Sequence, residues 1–146
     1  MKQKFSTKWK ASRQPRKQRK YRFNAPLHIL HKFIHANLSK ELRKKYGKRS
    51  IALRKDDKVK IMRGEFKGKT GKISAIDLKN LKIAIEGMQK SKKEGSKVNV
   101  YFHPSNLQIQ ELNLDDKKRR ESLERKGKIN ENKIGGKNVS EKKLHR

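Results

Sequence analysis

The residue types that drive catalysis are thinly represented here, and their positions do not assemble them. Fourteen acidic side chains stand against 43 lysines and arginines in 146 residues. Asp56 and Asp57 are adjacent, so on a strand their carboxylates point to opposite faces and do not converge on one water or metal. Asp57 suits the turn into a first strand instead. Asp115-Asp116 suit a helix N-terminus, where negative charge complements the macrodipole. His28, His31 and His35 stand at intervals of three and four, the repeat of one helix face. With no cysteine in the chain and no carboxylate nearby, they do not form a zinc set. No Ser–His–Asp constellation, phosphate loop or carboxylate pair can be built. The reading is of a protein that is not an enzyme, with no cofactor, no metal and no small-molecule substrate.

The chemistry that is abundant is cationic. The formal net charge is +29. Residues 1–55 carry 19 basic and one acidic side chain, residues 56–112 carry 12 and 7, and residues 113–146 carry 12 and 6. Such an excess opposes compaction unless a polyanion neutralises it. Nucleic acid is the partner of choice, and an anionic membrane surface the weaker one. No apolar run approaches the roughly 18 residues of a membrane span, and Met1-Lys2-Gln3-Lys4 leads into no apolar stretch, unlike a secretory signal. The absence of cysteine fits a reducing, cytoplasmic location. Hydrophobic residues make up only 31% of the chain, below the roughly 45–50% of ordinary domains, so much of it cannot bury itself.

The densest charge is interleaved with aromatics: Lys8, Trp9, Lys10, Arg13, Arg16, Lys17, Arg19, Lys20, Tyr21, Arg22 and Phe23. Basic groups contact phosphates, and aromatic rings without a core of their own either stack on bases or pack against neighbouring surfaces. A second concentration is Arg63, Lys67, Lys69 and Lys72 around Phe66. It lies in the segment Asp57-Lys58-Val59-Lys60-Ile61-Met62-Arg63-Gly64-Glu65-Phe66-Lys67-Gly68-Lys69-Thr70-Gly71-Lys72-Ile73, which reads as strand, glycine loop, strand. Gly64 and Gly71 are expected at backbone angles that a β-carbon forbids, and Gly68 where the loop passes close to another backbone. Phe66 fits either a base-stacking ring or a residue of the barrel rim.

The elements that must position these groups follow from periodicity. Residues 1–25 show no helical or strand repeat and read as a basic extended arm. Residues 26–50 read as a short helical region. Pro26 stands at a first helical position, Leu27, Leu30, Ile34 and Leu38 follow at helical spacing, Ser39 caps a second helix and Gly47 stops it. Residues 51–112 alternate in the manner of strands, at Val59 and Ile61, at Leu81, Ile83 and Ile85, at Val98, Val100 and Phe102, and at Leu107 and Ile109. Several short strands with glycine turns make a small β-barrel. Residues 113–127 read as a C-terminal helix ended by Gly127, and 128–146 as a basic, disordered tail. The fold class is mainly β, with a basic arm bearing short helices and a C-terminal helix.

The segment from Asp57 to Ile73 resembles the KOW motif, which implies a Src-homology-3-like barrel that binds RNA or ribonucleoprotein. The flanks narrow the resemblance. Arg16-Lys17-Gln18-Arg19-Lys20-Tyr21, Asn24-Ala25-Pro26-Leu27-His28, Leu38-Ser39-Lys40-Glu41-Leu42-Arg43, Tyr46-Gly47-Lys48-Arg49-Ser50 and His103-Pro104-Ser105-Asn106-Leu107 are similar to segments of the large-subunit ribosomal protein L twenty-four family of archaea and eukaryotes. Leu112 to Lys126 resembles that family's C-terminal helix, and the short spacing from Gly68 to Gly71 resembles the archaeal branch. The likeness covers roughly residues 12–127. It implies a structural constituent of the cytoplasmic ribosome that binds large-subunit ribosomal RNA near its 5′ end. It also implies early action in assembly, a place close to the polypeptide exit tunnel, and contacts with neighbouring ribosomal proteins. It implies neither membrane partner nor homo-oligomer. To the arm residues and the motif it adds His28, His31, Lys32, Arg43, Lys48, Arg49, His103, Ser105 and Asn106 as RNA contacts. KOW modules also occur in transcription elongation factors, so an accessory factor of that kind is the alternative, followed by a general nucleic-acid chaperone.

Overall fold

The computed structural model describes residues 5–6, 8–9 and 12–125. The first correction falls in the arm. Residues expected to lack a helical repeat form a helix, α1 (Pro15–Phe23). Pro15 presets its first turn, Lys, Arg and Gln are good helix formers, and Lys20 and Arg22 sit in the last turn, where cations complement the dipole. Nothing on α1 is buried, so it has no apolar stripe to betray it.

Pro26 forms the N-cap of α2 (Leu27–Phe33) rather than its first residue, and its carbonyl accepts from the N–H groups of Ile29 and Leu30. The helix is shorter than expected. From His35 the chain is a strand, β1 (His35–Leu38), whose buried face, Ala36 and Leu38, follows on from the buried Ile34. Ile34 and Leu38 are four apart, which satisfies both a helical turn and two strand steps; Ala36 decides for the strand. Ser39 caps α3 (Lys40–Tyr46) by accepting from Leu42 N at 3.3 Å, and Gly47 ends it in the left-handed conformation, the usual helix stop.

Six further strands follow: β2 (Ser50–Ala52), β3 (Lys58–Ile61), β4 (Thr70–Asp77), β5 (Lys82–Ser91), β6 (Lys97–Phe102) and β7 (Leu107–Glu111), the last preceded by a single 3-10 turn at Pro104–Asn106. They form one sheet in the order β2-β1-β7-β3-β4-β5-β6, parallel only between β1 and β7. Register shifts between Lys58 and Val59, between Ile73 and Ala75, and between Ala84 and Gln89 bend the ladder, as bulges do. The result is a small barrel whose interior is filled by Val59, Ile61, Ile73, Ile83, Ile85, Leu107 and Ile109, none more than 1% exposed. Leu81, expected inside a strand, stands at φ 54 in the turn before β5, with its side chain still buried.

A helix, α4, occupies residues 117–125. Asp116 caps it, its carboxylate accepting from Lys118 N at 2.9 Å and its carbonyl from Arg120 N at 3.1 Å. α4 buries Leu123 and Arg119, the second a residue type seldom buried unless paired. The expected stop at Gly127 and the tail over 128–146 lie outside the described residues.

Candidate nucleic-acid interface

The glycine loop is held at one end of the barrel by its own backbone. Gly68 N donates to Ile61 O at 2.8 Å, Ile61 N to Lys69 O at 2.9 Å and Lys67 N to Gly64 O at 3.0 Å. Gly64 and Gly68 take φ of 92 and 89, the region only glycine enters freely. The expected roles of Gly68 and Gly71 are thus exchanged. Gly71 has ordinary backbone angles but is packed tight: a β-carbon there would stand 2.7 Å from Ile85 Cγ2 and 3.0 Å from Glu86 O. The glycine spacing shows that two constraints exist, not which glycine answers which.

This loop presents Arg63, Lys67 and Lys69, and Lys72 follows on β4, all four exposed. Phe66 belongs to the barrel rim, its ring edge-on to Phe102 with centroids 5.8 Å apart and Lys69 Nζ 5.0 Å from its own centroid. The His103–Asn106 turn abuts the loop, because Met62 N donates to Asn106 O at 2.8 Å. His103 Nδ1 lies 2.8 Å from Ser105 Oγ and accepts from Ser105 N at 3.3 Å. His103 and Ser105 therefore lie beside the lysines, while the Asn106 backbone ties the two segments together. Glu65, the loop's only carboxylate, is paired with Lys90, so a β5 lysine rather than a loop cation neutralises it.

The second surface is α1. Arg16, Lys17, Arg19, Lys20 and Arg22 are all exposed on nine residues of helix with no acidic side chain in the first turn. Tyr21, with Lys17 and Lys20 on its side of the helix, lies 4.7 Å from Phe5, 4.9 Å from Trp9 and 6.1 Å from Phe33 between ring centroids. Lys8 and Arg13 are exposed nearby, and so are His28, His31 and Lys32 on α2. Lys10 lies outside the described residues. His35, in β1, does not share the helix of His28 and His31, and no group of metal-ligating side chains occurs among the described residues.

Other expected contacts are engaged within the protein. Arg43 Nε donates to Leu38 O at 2.8 Å. Lys48 Nζ donates to the carbonyl of Ser122 and lies 3.1 Å from its hydroxyl, which binds the segment after α3 to α4. Arg49 receives Leu38 N on its carbonyl and keeps its side chain exposed.

Sequence reasoning missed what fixes α4. Asp57 is 0% exposed and Arg119 5%. Both guanidinium terminal nitrogens lie 2.7 Å from the two Asp57 oxygens. The carboxylate also accepts from Arg54 N at 2.8 Å and Asn113 N at 2.9 Å, while Arg119 donates to Asn113 O and Ala52 O. Arg54 makes a second ion pair, 2.6 Å from Asp116. Asp57 does fix the turn into β3, but its main partner is 62 residues away, and no local pattern shows that. At the β4–β5 turn, Asp77 accepts from the Asn80 side chain at 2.6 Å and backbone at 3.1 Å. Those bonds, the side-chain one foremost, hold its carboxyl below the ordinary value of 3.8, because they favour the charged form.

The chain is a small curled β-barrel protein with a lysine-rich glycine loop at one end and a helix bearing five exposed cations. The chain belongs to the family of eukaryotic ribosomal proteins L26 and their archaeal L24 counterparts, whose model matches residues 12–126. It is 48% identical over 114 residues to the large ribosomal subunit protein uL24 of Methanothrix thermoacetophila, an alignment covering 78% of this chain and 98% of that one. It is 44% identical over 115 residues to the protein of the same name from Methanosphaera stadtmanae, covering 79% and 98%. The resemblance to the archaeal branch agrees with both relatives.

Proposed function

We propose that this chain is a structural protein of the large ribosomal subunit that binds and organises ribosomal RNA near its 5′ end, acts early in assembly and sits close to the exit tunnel, in the cytoplasm. The observation that carries the RNA-binding reading is α1, whose five cations find no acidic partner on their own helix and project into solvent. Cations so placed release the counterions condensed on a phosphate backbone, which favours binding. The glycine loop supplies a second group of cations on a rigid frame, suited to gripping the backbone of an A-form helix whose base edges side chains reach poorly. Arg63, Lys67, Lys69, Lys72, His103 and Ser105 take this role at the barrel end. Arg16, Lys17, Arg19, Lys20 and Arg22 take it on α1. Neighbouring ribosomal proteins are the other partners.

The test is binding of the full chain to transcripts of the large-subunit RNA across a salt series. Each phosphate neutralised contributes about −0.7 to −0.9 to the slope of log affinity on log salt. Replacing the five α1 cations with glutamine is expected to flatten the slope by about 3.5 to 4.5 if each holds one phosphate. An unchanged slope rules α1 out as an RNA contact.

A further inference from the structure

The aromatic cluster behind α1 borders an open groove of about 220 Å³ lined by Phe5, Ser6, Trp9, Lys17, Lys20, Tyr21 and Asn24. Three features of its lining matter together. Phe5, Trp9 and Tyr21 are each only half-buried, although their rings meet within 5 Å, so the cluster leaves aromatic surface uncovered at the groove. Lys17 and Lys20, three residues apart on α1 and therefore on one face, set two ammonium groups at its edge. Ser6 and Asn24 add small polar groups able to donate or accept. A purely structural aromatic cluster needs neither the opening nor the paired lysines.

We infer that this groove is a pocket for one unpaired RNA nucleotide, its base lying against the Trp9 and Tyr21 rings and its phosphate reached by Lys17 and Lys20. The volume suits a single base with its sugar. Stacking accepts any base, because every base has a π-face; Ser6 and Asn24 can bond its edge or the ribose hydroxyls. This deepens the RNA-binding reading above and rests on it. It separates the arm's work in two: α1 holds phosphates by charge, and the pocket holds a splayed base by contact.

Trp9 is the only tryptophan in the chain, so tryptophan emission, excited selectively over the three tyrosines, reports on this pocket alone. The full chain is titrated with a single-stranded hexa-adenylate RNA and with a hexamer of the same charge carrying abasic sites throughout. The expected result is saturable quenching of Trp9 by the first and little by the second. Affinity for the abasic hexamer should be lower by about 5- to 150-fold, the equivalent of one stacked base. Trp9→Leu should remove the preference for bases and leave the salt slope unchanged, and Trp9→Phe should restore most of it. Lys17→Gln, which leaves the rings in place, should weaken both hexamers alike. Equal affinity for the two hexamers with unchanged Trp9 emission overturns the pocket. If the chain then still binds the large-subunit transcript with a steep salt slope, the RNA-binding reading stands without the pocket; if it binds no RNA, both fall.

Discussion

Asp57 and Arg119 form the most consequential single contact in the molecule. Each would be costly to bury alone, and each is saturated by the other and by backbone, apart from Arg119 Nε. Breaking such a pair from one side leaves a lone buried charge. Arg119→Met is therefore expected to cost about 3–5 kcal/mol by urea unfolding, and the double variant with Asp57→Leu to recover only part of it, because the Arg54 and Asn113 N–H groups then lose their acceptor. A single variant as stable as the parent would show that α4 is not held this way. At the loop, Gly68→Val places a β-branched residue at φ 89, so it should lower the melting temperature clearly, while Lys67→Ala should leave it within error and weaken RNA binding. Gly71→Ala should also destabilise, by about 1–3 kcal/mol as overpacked sites do, through the Ile85 contact. Turns, caps and charge were legible in the sequence at this level. The Asp57–Arg119 pair was not, because a carboxylate beside a turn looks the same whether it caps locally or meets a distant arginine.

Secondary elements show where periodicity fails. The strands with clean alternation, β3, β6 and β7, stood out because hydrophobic and polar residues take turns along them. β1 was hidden by a spacing of four that helix and strand share, and β2 is too short to alternate. α1 was hidden for the opposite reason: it buries nothing, so only propensity marks it, and a run of lysines and arginines reads as an unstructured arm. The β4–β5 turn offers a test in pH. The Asp77 carboxyl is held below 3.8 in the folded chain. The contribution of its bonds to Asn80 is therefore fully present above that value and is lost as pH falls through the lowered one. Asp77→Asn should lower stability in the neutral region and flatten the acid limb of a stability–pH curve below about pH 4, where the variant and the parent converge. An acid limb identical to the parent's would deny the turn that role.

For the molecule as a whole, charge and fold divide the work. The barrel core is small, and the helices on its flanks add Leu30, Leu42 and Leu123 to its apolar packing beside a few polar contacts. Such a body carries a net charge of +29 most easily with a polyanion bound, and its two cationic surfaces give that polyanion two places to rest. The function class was legible in composition and in the glycine-loop segment, and family membership agrees with it. Which cations are held inside the protein, as Arg43 and Lys48 are, needed the fold. The measurement that bears most directly on the central claim is sedimentation of lysate through a sucrose gradient, before and after a high-salt wash of the subunits. The chain should travel with the large subunit and remain on it through the wash, as a component seated in RNA. Release at the top of the gradient, or migration with RNA polymerase, would contradict the account.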